Sequence, residues 1–182
     1  MTYDADTGFH LPTPEDDLDR RLRDAALTKL GLTAPDGELD EFAAALARDA
    51  GEPYAMVNVF TPDLQFFVGL HAPDGDDLPA VGRTMPRDHG FCPEVVARRR
   101  ALPLPDVFAH ARFASNPVVD QIGIRTYAGA PLIYQDTVLG TVCFLGPTDR
   151  PRETGRAQHA LINSRRDALM DLLVRRAGLP SQ

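Results

Sequence analysis

The 182-residue chain is 43% hydrophobic, enough for one domain with a sizeable core, and no apolar run approaches the roughly 18 residues of a membrane span. Its formal charge of −7 lies wholly in residues 1–41, where eleven carboxylates stand against four basic side chains; the remaining fifteen acids and fifteen bases cancel. This distribution argues against a nucleic-acid-binding body, and the acidic first residues are unlike a signal peptide, so a cytoplasmic protein with no membrane partner is expected. Residues 150–176 carry seven arginines against three acids, so the two terminal segments are expected to attract each other. Two cysteines, Cys92 and Cys143, are too few and too far apart for a zinc site or a disulfide scaffold.

Residues 1–13 have no apolar period and read as a loose arm. Pro14 then suits a helix start, with Glu15, Asp16 and Asp17 in the first turn, an apolar stripe of Leu18, Leu22, Ala25, Ala26 and Leu30, and Gly31 as the stop. Asp36 is the expected N-cap of a second helix, with Leu39, Phe42, Ala43 and Leu46 on one face and Gly51 closing it. Strands follow at Tyr54–Phe60 and Leu64–Leu70, joined by a Thr61-Pro62-Asp63 turn. His71–Gly82 is acidic and rich in Gly and Pro. Its Asp74, Asp76 and Asp77 lack the following glutamate of a calcium loop, so an exposed loop is expected.

Pro93 is placed at the first helical position of the next helix, which makes Cys92 its N-cap and puts Arg98, Arg99 and Arg100 in its last turn. Leu102–Val107 reads as a short extended segment. Asn116-Pro117 opens a short helix that Gly123 ends. Tyr127–Leu145 reads as a hairpin turning near Gln135-Asp136, with Leu132 opposite Leu139, Ala130 opposite Thr141 and Ala128 opposite Cys143. Both its faces are apolar and need cover. The small residues Ala128, Ala130, Thr141 and Cys143 would share one face, either as a pocket floor or as a seat for a closely packed helix. A final helix spans about Arg152 to Arg176, with Leu161, Ala168, Leu169, Leu172 and Leu173 on its apolar side.

These elements, and the stretches ELDEFAAALARDAGEPYAMVNVFTPDLQFFVGL, HGFCPEVV, LPLPDVFAHARFASNPVV and IRTYAGAPLIYQDTVLGTVCFLG, resemble the GAF family of small-molecule sensor domains. The nearest likeness is to a bacterial subgroup with an FC pair opening the helix after the long loop and L-G-T-x-C in the hairpin. The resemblance implies an α/β (α+β) fold: a central antiparallel sheet, terminal helices on one face, and a ligand pocket covered by a loop and short helices on the other. The expected divisions are an arm and helix at 1–32, the GAF-like domain at 33–177 and a tail at 178–182. Bilin attachment is not expected, since Cys92 is followed by Pro93 and no cysteine lies between Asp106 and Thr141. The N-K…F…D-E pattern of cyclic-nucleotide binders is absent, and only Cys92 lies where the free methionine sulfoxide reductases carry pocket-loop cysteines.

Cys92 has two readings. As a thiol at a helix N-terminus, with His89 three residues earlier as an imidazolium partner, it would form a redox-sensing or covalent site; otherwise it is a buried, inert cap. Cys143, inside a strand, reads as core filler whose interest depends on its distance from Cys92. The resemblance puts His110, Arg112 and Phe113 at the pocket, Arg112 for an anionic ligand and Phe113 for an apolar one, or else as a surface arginine and a core phenylalanine. Tyr127 and Thr141 complete the candidate ligand-binding set. Asp106 is expected to cap the following backbone. His71, His89 and His110 could each ligate a haem, and nothing in their spacing selects one.

The expected function is a small-molecule-binding or redox-sensing GAF domain, more a sensor than an enzyme, that signals through a homodimer of its terminal helices or through a partner protein, with its cofactor unspecified. One alternative is a thiol-dependent oxidoreductase resembling free methionine sulfoxide reductase, with Cys92 as nucleophile. The other is a structural interaction module whose pocket is filled.

Overall fold

The computed structural model describes residues 2–3, 10–11, 17–73 and 78–179, with side chains from residue 17 onward. Pro14, Glu15 and Asp16, the loop acids Asp74, Asp76 and Asp77, and the last three tail residues lie outside this set. The arm expected to be loose contains a short antiparallel ribbon of β1 (Thr2–Tyr3) and β2 (His10–Leu11).

Helix α1 (Asp17–Lys29) follows, and then α2 (Gly37–Ala50). Asp36 caps α2 from an extended backbone, accepting from the Glu38 N–H at 2.9 Å and the Leu39 N–H at 3.2 Å. Gly51, at φ +65°, turns the chain out of it. Strands β3 (Tyr54–Phe60) and β4 (Leu64–His71) are joined by a turn in which the Thr61 hydroxyl donates to the Leu64 carbonyl at 2.9 Å. After β5 (Thr84–Pro86) come α3 (Cys92–Arg98), β6 (Leu102–Leu104), α4 (Ala111–Ala114) and α5 (Pro117–Ile122). The hairpin of β7 (Thr126–Tyr134) and β8 (Thr137–Gly146) precedes the long α6 (Gly155–Arg176). The six strands β3–β8 form one antiparallel sheet in the order β5-β4-β3-β8-β7-β6.

Each face of this sheet has its own core. On one side α1, α2 and α6 lay Leu27, Leu39, Leu46, Ile162, Leu169 and Leu173 against Val57, Ala128, Ala130, Val142 and Phe144. Full burial of each such Leu or Ile contributes about 2 kcal/mol relative to exposure. The second core packs α3, α5 and the loop before them onto Met56, Tyr127, Cys143 and Leu145.

The hairpin register differs from the expected one. Gln135 and Asp136 both take positive φ, +47° and +65°, and close a tight turn with Tyr134 opposite Thr137 and Ile133 opposite Val138. The next pair is Leu132 with Gly140, so Leu139 is an extra residue and a bulge shifts everything beyond it by one. Ala128 then faces Phe144, Gly129 faces Cys143 and Pro131 faces Thr141. The small-residue set divides: Ala128 and Ala130 meet the terminal helices, whereas Cys143 belongs to the opposite core and Thr141 shares its side of β8. A strand apolar on both faces carries no alternation that would reveal a one-residue slip.

Both terminal helices bury part of the face expected of them: Ala26 and Leu30 of the first stripe and Leu169 and Leu173 of the last are in the core, with Leu161 and Leu172 packed against it. Leu18 and Leu22 are 60% and 48% exposed, and Ala25 is exposed; the inward face of α1 is Arg23, Ala26 and Leu27. The Arg23 Nε–H donates to the Val138 carbonyl at 2.9 Å, tying α1 to the hairpin. In α6, Ala168 is exposed and Ile162 and Val174 are buried. The α6 arginines meet acids of α2 and its cap: Arg176 pairs with Asp36 and with Glu38, and Arg165 with Asp49.

Gly140 shows how closely β8 approaches β3. A Cβ there would stand 1.9 Å from the Asn58 carbonyl oxygen and 2.8 Å from the Val59 Cα, both of them backbone atoms. Gly140→Ala is therefore expected to destabilise the protein by about 3 kcal/mol through overpacking, read as a lower urea midpoint at unchanged slope.

Candidate functional site

The second core is incompletely filled. A cavity of about 230 Å³ lies between the sheet and its covering segments. Met56, Phe67, Met85 and Leu145 line it from the strands, Val118 and Ile122 from α5, and His89 from the loop after β5. Its floor is formed by Cys92, Tyr127 and Cys143. Exposed Gly82, Thr84, Pro86 and Gln121 stand at its mouth.

Cys92 is the first residue of α3 rather than its N-cap, a position held by Phe91. Proline is tolerated throughout the first helical turn, whose N–H groups have no intrahelical partner, so Pro93 does not by itself fix the boundary. The Cys92 side chain turns inward. Its Sγ lies 3.4 Å from the Tyr127 Oη and 3.8 Å from the Cys143 Sγ. The Tyr127 ring packs on Phe91 with centroids 5.1 Å apart, and the phenol lies over Gly129, where a Cβ would be 2.1 Å from Oη. A glycine at that position makes room for the phenol to reach the sulfur.

Behind the thiols lies a buried polar pair absent from the sequence-based candidates. Asn58 donates through Nδ2 to the Gln65 Oε1 at 2.7 Å. Gln65 Nε2 in turn donates to the carbonyls of His89 at 2.7 Å, Pro86 at 3.0 Å and Arg87 at 3.2 Å. One amide therefore fastens the loop that walls the cavity. The opposite loop arm is held by Tyr54, whose hydroxyl donates to the Pro79 carbonyl at 2.8 Å, and by Arg83, bidentate to Asp40. The usable sequence signal is a lone polar residue within each apolar strand, Asn58 in YAMVNVF and Gln65 in LQFFVGL. Asn58 Oδ1 and Thr141 Oγ1 are buried without a hydrogen-bond partner of ordinary geometry.

The thiols are electrostatically unlike. Cys143 acts as a hydrogen-bond donor to Cys92 and lowers its pKa from the ordinary thiol value; Thr141, Tyr127 and Asn58 add to the effect against the cost of burial. The same hydrogen bond, together with burial, raises Cys143 well above the ordinary value. Burial, with both sulfurs nearby, holds the Tyr127 phenol protonated. These hydrogen bonds, rather than His89, favour the Cys92 thiolate.

The other expected site residues lie apart from this floor. His89 lines the cavity wall. Arg112 pairs with the buried Glu94 at 3.1 Å and stacks over Phe113, which packs edge-on against Phe91; neither residue borders the cavity. His110 stands at the start of α4 beside a separate surface cleft shared with Asp106 and Arg152. Asp106 caps as expected, accepting from the Phe108 N–H at 3.0 Å. His71 ends β4, so the three histidines do not converge. Among the described residues no group of three or more His, Cys, Asp or Glu is placed to hold a metal ion, and no helix is long and apolar enough to cross a membrane.

Residues 35–162, well over half of the chain, match the model of the GAF domain family. The chain belongs to the GAF domain family. Solved structures share its fold at low identity. The free methionine-R-sulfoxide reductase from Neisseria meningitidis, in complex with its substrate, is similar with a TM-score of 0.59 and 15% identity over 93% of this chain and 98% of its own. The GAF domain of an Acinetobacter phosphoenolpyruvate-protein phosphotransferase gives 0.56 and 12% over 90% and 99%. The GAF domain from A. aeolicus nlh2, in an inactive state, gives 0.57 and 15% over 87% and 98%. No curated protein sequence matches the chain. Membership of the family makes this a ligand-binding or signalling domain.

The thiolate, not the thiol, is alkylated, so the iodoacetamide rate of Cys92 rises with pH through its pKa and then levels. With that pKa lowered and Cys143 raised, the Cys92 rate should reach half its plateau below about pH 8.5 while Cys143 stays unreacted. Cys143→Ala removes the S–H donor and should move the midpoint upward. The titratable groups facing Cys92 are Cys143 and Tyr127, with His89 further along the wall.

Proposed function

We propose that this GAF domain is a sensor that binds one small, mainly apolar molecule in the cavity above Cys92, Tyr127 and Cys143. The observation that carries the reading is the cavity itself: about 230 Å³ of unfilled space inside an otherwise close-packed core, with apolar walls and three polar atoms at one end. The volume is below the range of pockets for drug-sized ligands, which favours a small metabolite carrying one hydrogen-bonding group. We further read the output as passing through the terminal helices, in a homodimer or to a partner protein, since α1 leaves Leu22 exposed outside the core.

A second reading has a specific observation in its favour. Two thiols in contact, one of them inclined to ionise, suit a thiol-dependent reductase acting on a sulfoxide, whose oxygen leaves as water as the thiols become a disulfide. Methionine sulfoxide with dithiothreitol would then be consumed by the wild type and not by Cys92→Ser; equal background rates with both proteins exclude it.

The sensor reading is tested by thermal shift across small apolar metabolites, followed by native mass spectrometry, which reads bound ligand and oligomer together. A ligand at 100 times its Kd should add about 2.7 kcal/mol of stability. Val118→Phe, which fills the cavity from α5, should unfold cooperatively and lose the shift. A library that shifts nothing, with a ligand-free native mass, favours the structural-module alternative.

A further inference from the structure

The thiol pair beneath the cavity has a chemistry of its own that does not depend on the ligand above it. We infer that Cys92 and Cys143 form a hydroperoxide-reactive dithiol, in which a small hydroperoxide entering the cavity oxidises Cys92 and Cys143 then closes an intramolecular disulfide.

Both sulfurs border the cavity, so a molecule the size of hydrogen peroxide needs no opening of the sheet to reach them. Cys143 is fixed on the inner strand β8, with Met56 opposite it on β3 and Gly129 on β7. Cys92 approaches from above on the short helix α3, and the sulfurs are already at 3.8 Å. A disulfide brings them to about 2.05 Å, a closure that the first residue of a seven-residue helix beside unfilled space can absorb.

The order of events follows from the asymmetry of the pair. Cys92 is the sulfur inclined to ionise and is the nucleophile; Cys143, kept as S–H, is the resolving thiol. In the first step the Cys92 thiolate attacks the distal peroxide oxygen, the O–O bond breaks, and the alkoxide takes up a proton and leaves as an alcohol, or as water from hydrogen peroxide. In the second, the Cys143 sulfur attacks the Cys92 sulfenic sulfur, the S–O bond breaks and water leaves with the Cys143 proton. Two thiols and one hydroperoxide thus become one disulfide, one alcohol and one water. The sulfenic acid between the steps has an S–O–H group that needs both an acceptor and a donor. Asn58 Oδ1 as acceptor and the Thr141 hydroxyl as donor, fully buried and without ordinary partners, stand beside Cys92 to supply them, with the Tyr127 hydroxyl also in reach.

The test uses the reduced full chain mixed with hydrogen peroxide, and separately with tert-butyl hydroperoxide. The expected result is loss of both titratable thiols, an intact mass lower by two hydrogens, a peptide linking Cys92 to Cys143, and full recovery with dithiothreitol. Cys143→Ala should stop at a Cys92 sulfenic acid trapped by dimedone, and Cys92→Ser should leave Cys143 a thiol. Retention of both thiols in the wild type, under peroxide that oxidises them in the denatured chain, overturns the inference without any variant. So does a purely intermolecular disulfide, or a Cys143 that oxidises at the wild-type rate in Cys92→Ser. None of these outcomes bears on ligand binding in the cavity, which thermal shift measures separately.

Discussion

With both faces of the six-stranded sheet covered, the central strands divide their side chains between two cores, and the bulge at Leu139 makes that assignment along β8. Without the extra residue, Val142 and Phe144 would turn away from the terminal helices and Thr141 and Cys143 away from the cavity. The close approach of Gly140 to the Asn58 carbonyl comes immediately after the bulge and fixes the offset against β3. One additional residue therefore decides whether the protein has a dithiol or merely two cysteines.

The site that results combines features that are costly separately. Polar groups in an apolar core need partners, and here most are supplied within one cluster: Asn58 to Gln65, Gln65 to three loop carbonyls, Tyr127 to Cys92, and Cys92 to Cys143. The two oxygens left over lie beside the more reactive sulfur. Low polarity around the cluster strengthens each interaction within it, which is how two chemically identical thiols come to differ in acidity.

Much of the fold was legible in the sequence because it rests on local rules. The Asp36 and Asn116 caps, the Gly51 and Gly123 stops, the Thr61-Pro62-Asp63 turn and the tight turn at Gln135-Asp136 each depend on a few adjacent residues. What was not legible depends on distant partners. Arg112, which the sequence offers as an anion partner or a surface arginine, pairs with Glu94, eighteen residues earlier in the chain. The inward face of α1 includes Arg23, a residue no apolar stripe contains, because the Val138 carbonyl receives its guanidinium. The nearness of Cys92 to Cys143 follows from the pairing of β8 with β3 and β7, and no spacing in the chain encodes it.

The attachment of the cavity loop has a further consequence. Gln65 grips the segment from Pro86 to His89 by carbonyl oxygens, which every amino acid possesses. The wall is thereby anchored independently of the side chains it displays toward the cavity. Met85 and His89 can be exchanged for residues of other shape or polarity without loosening that grip. The fold thus separates the means of holding the wall from the means of recognising a guest, and leaves selectivity open to retuning at single positions.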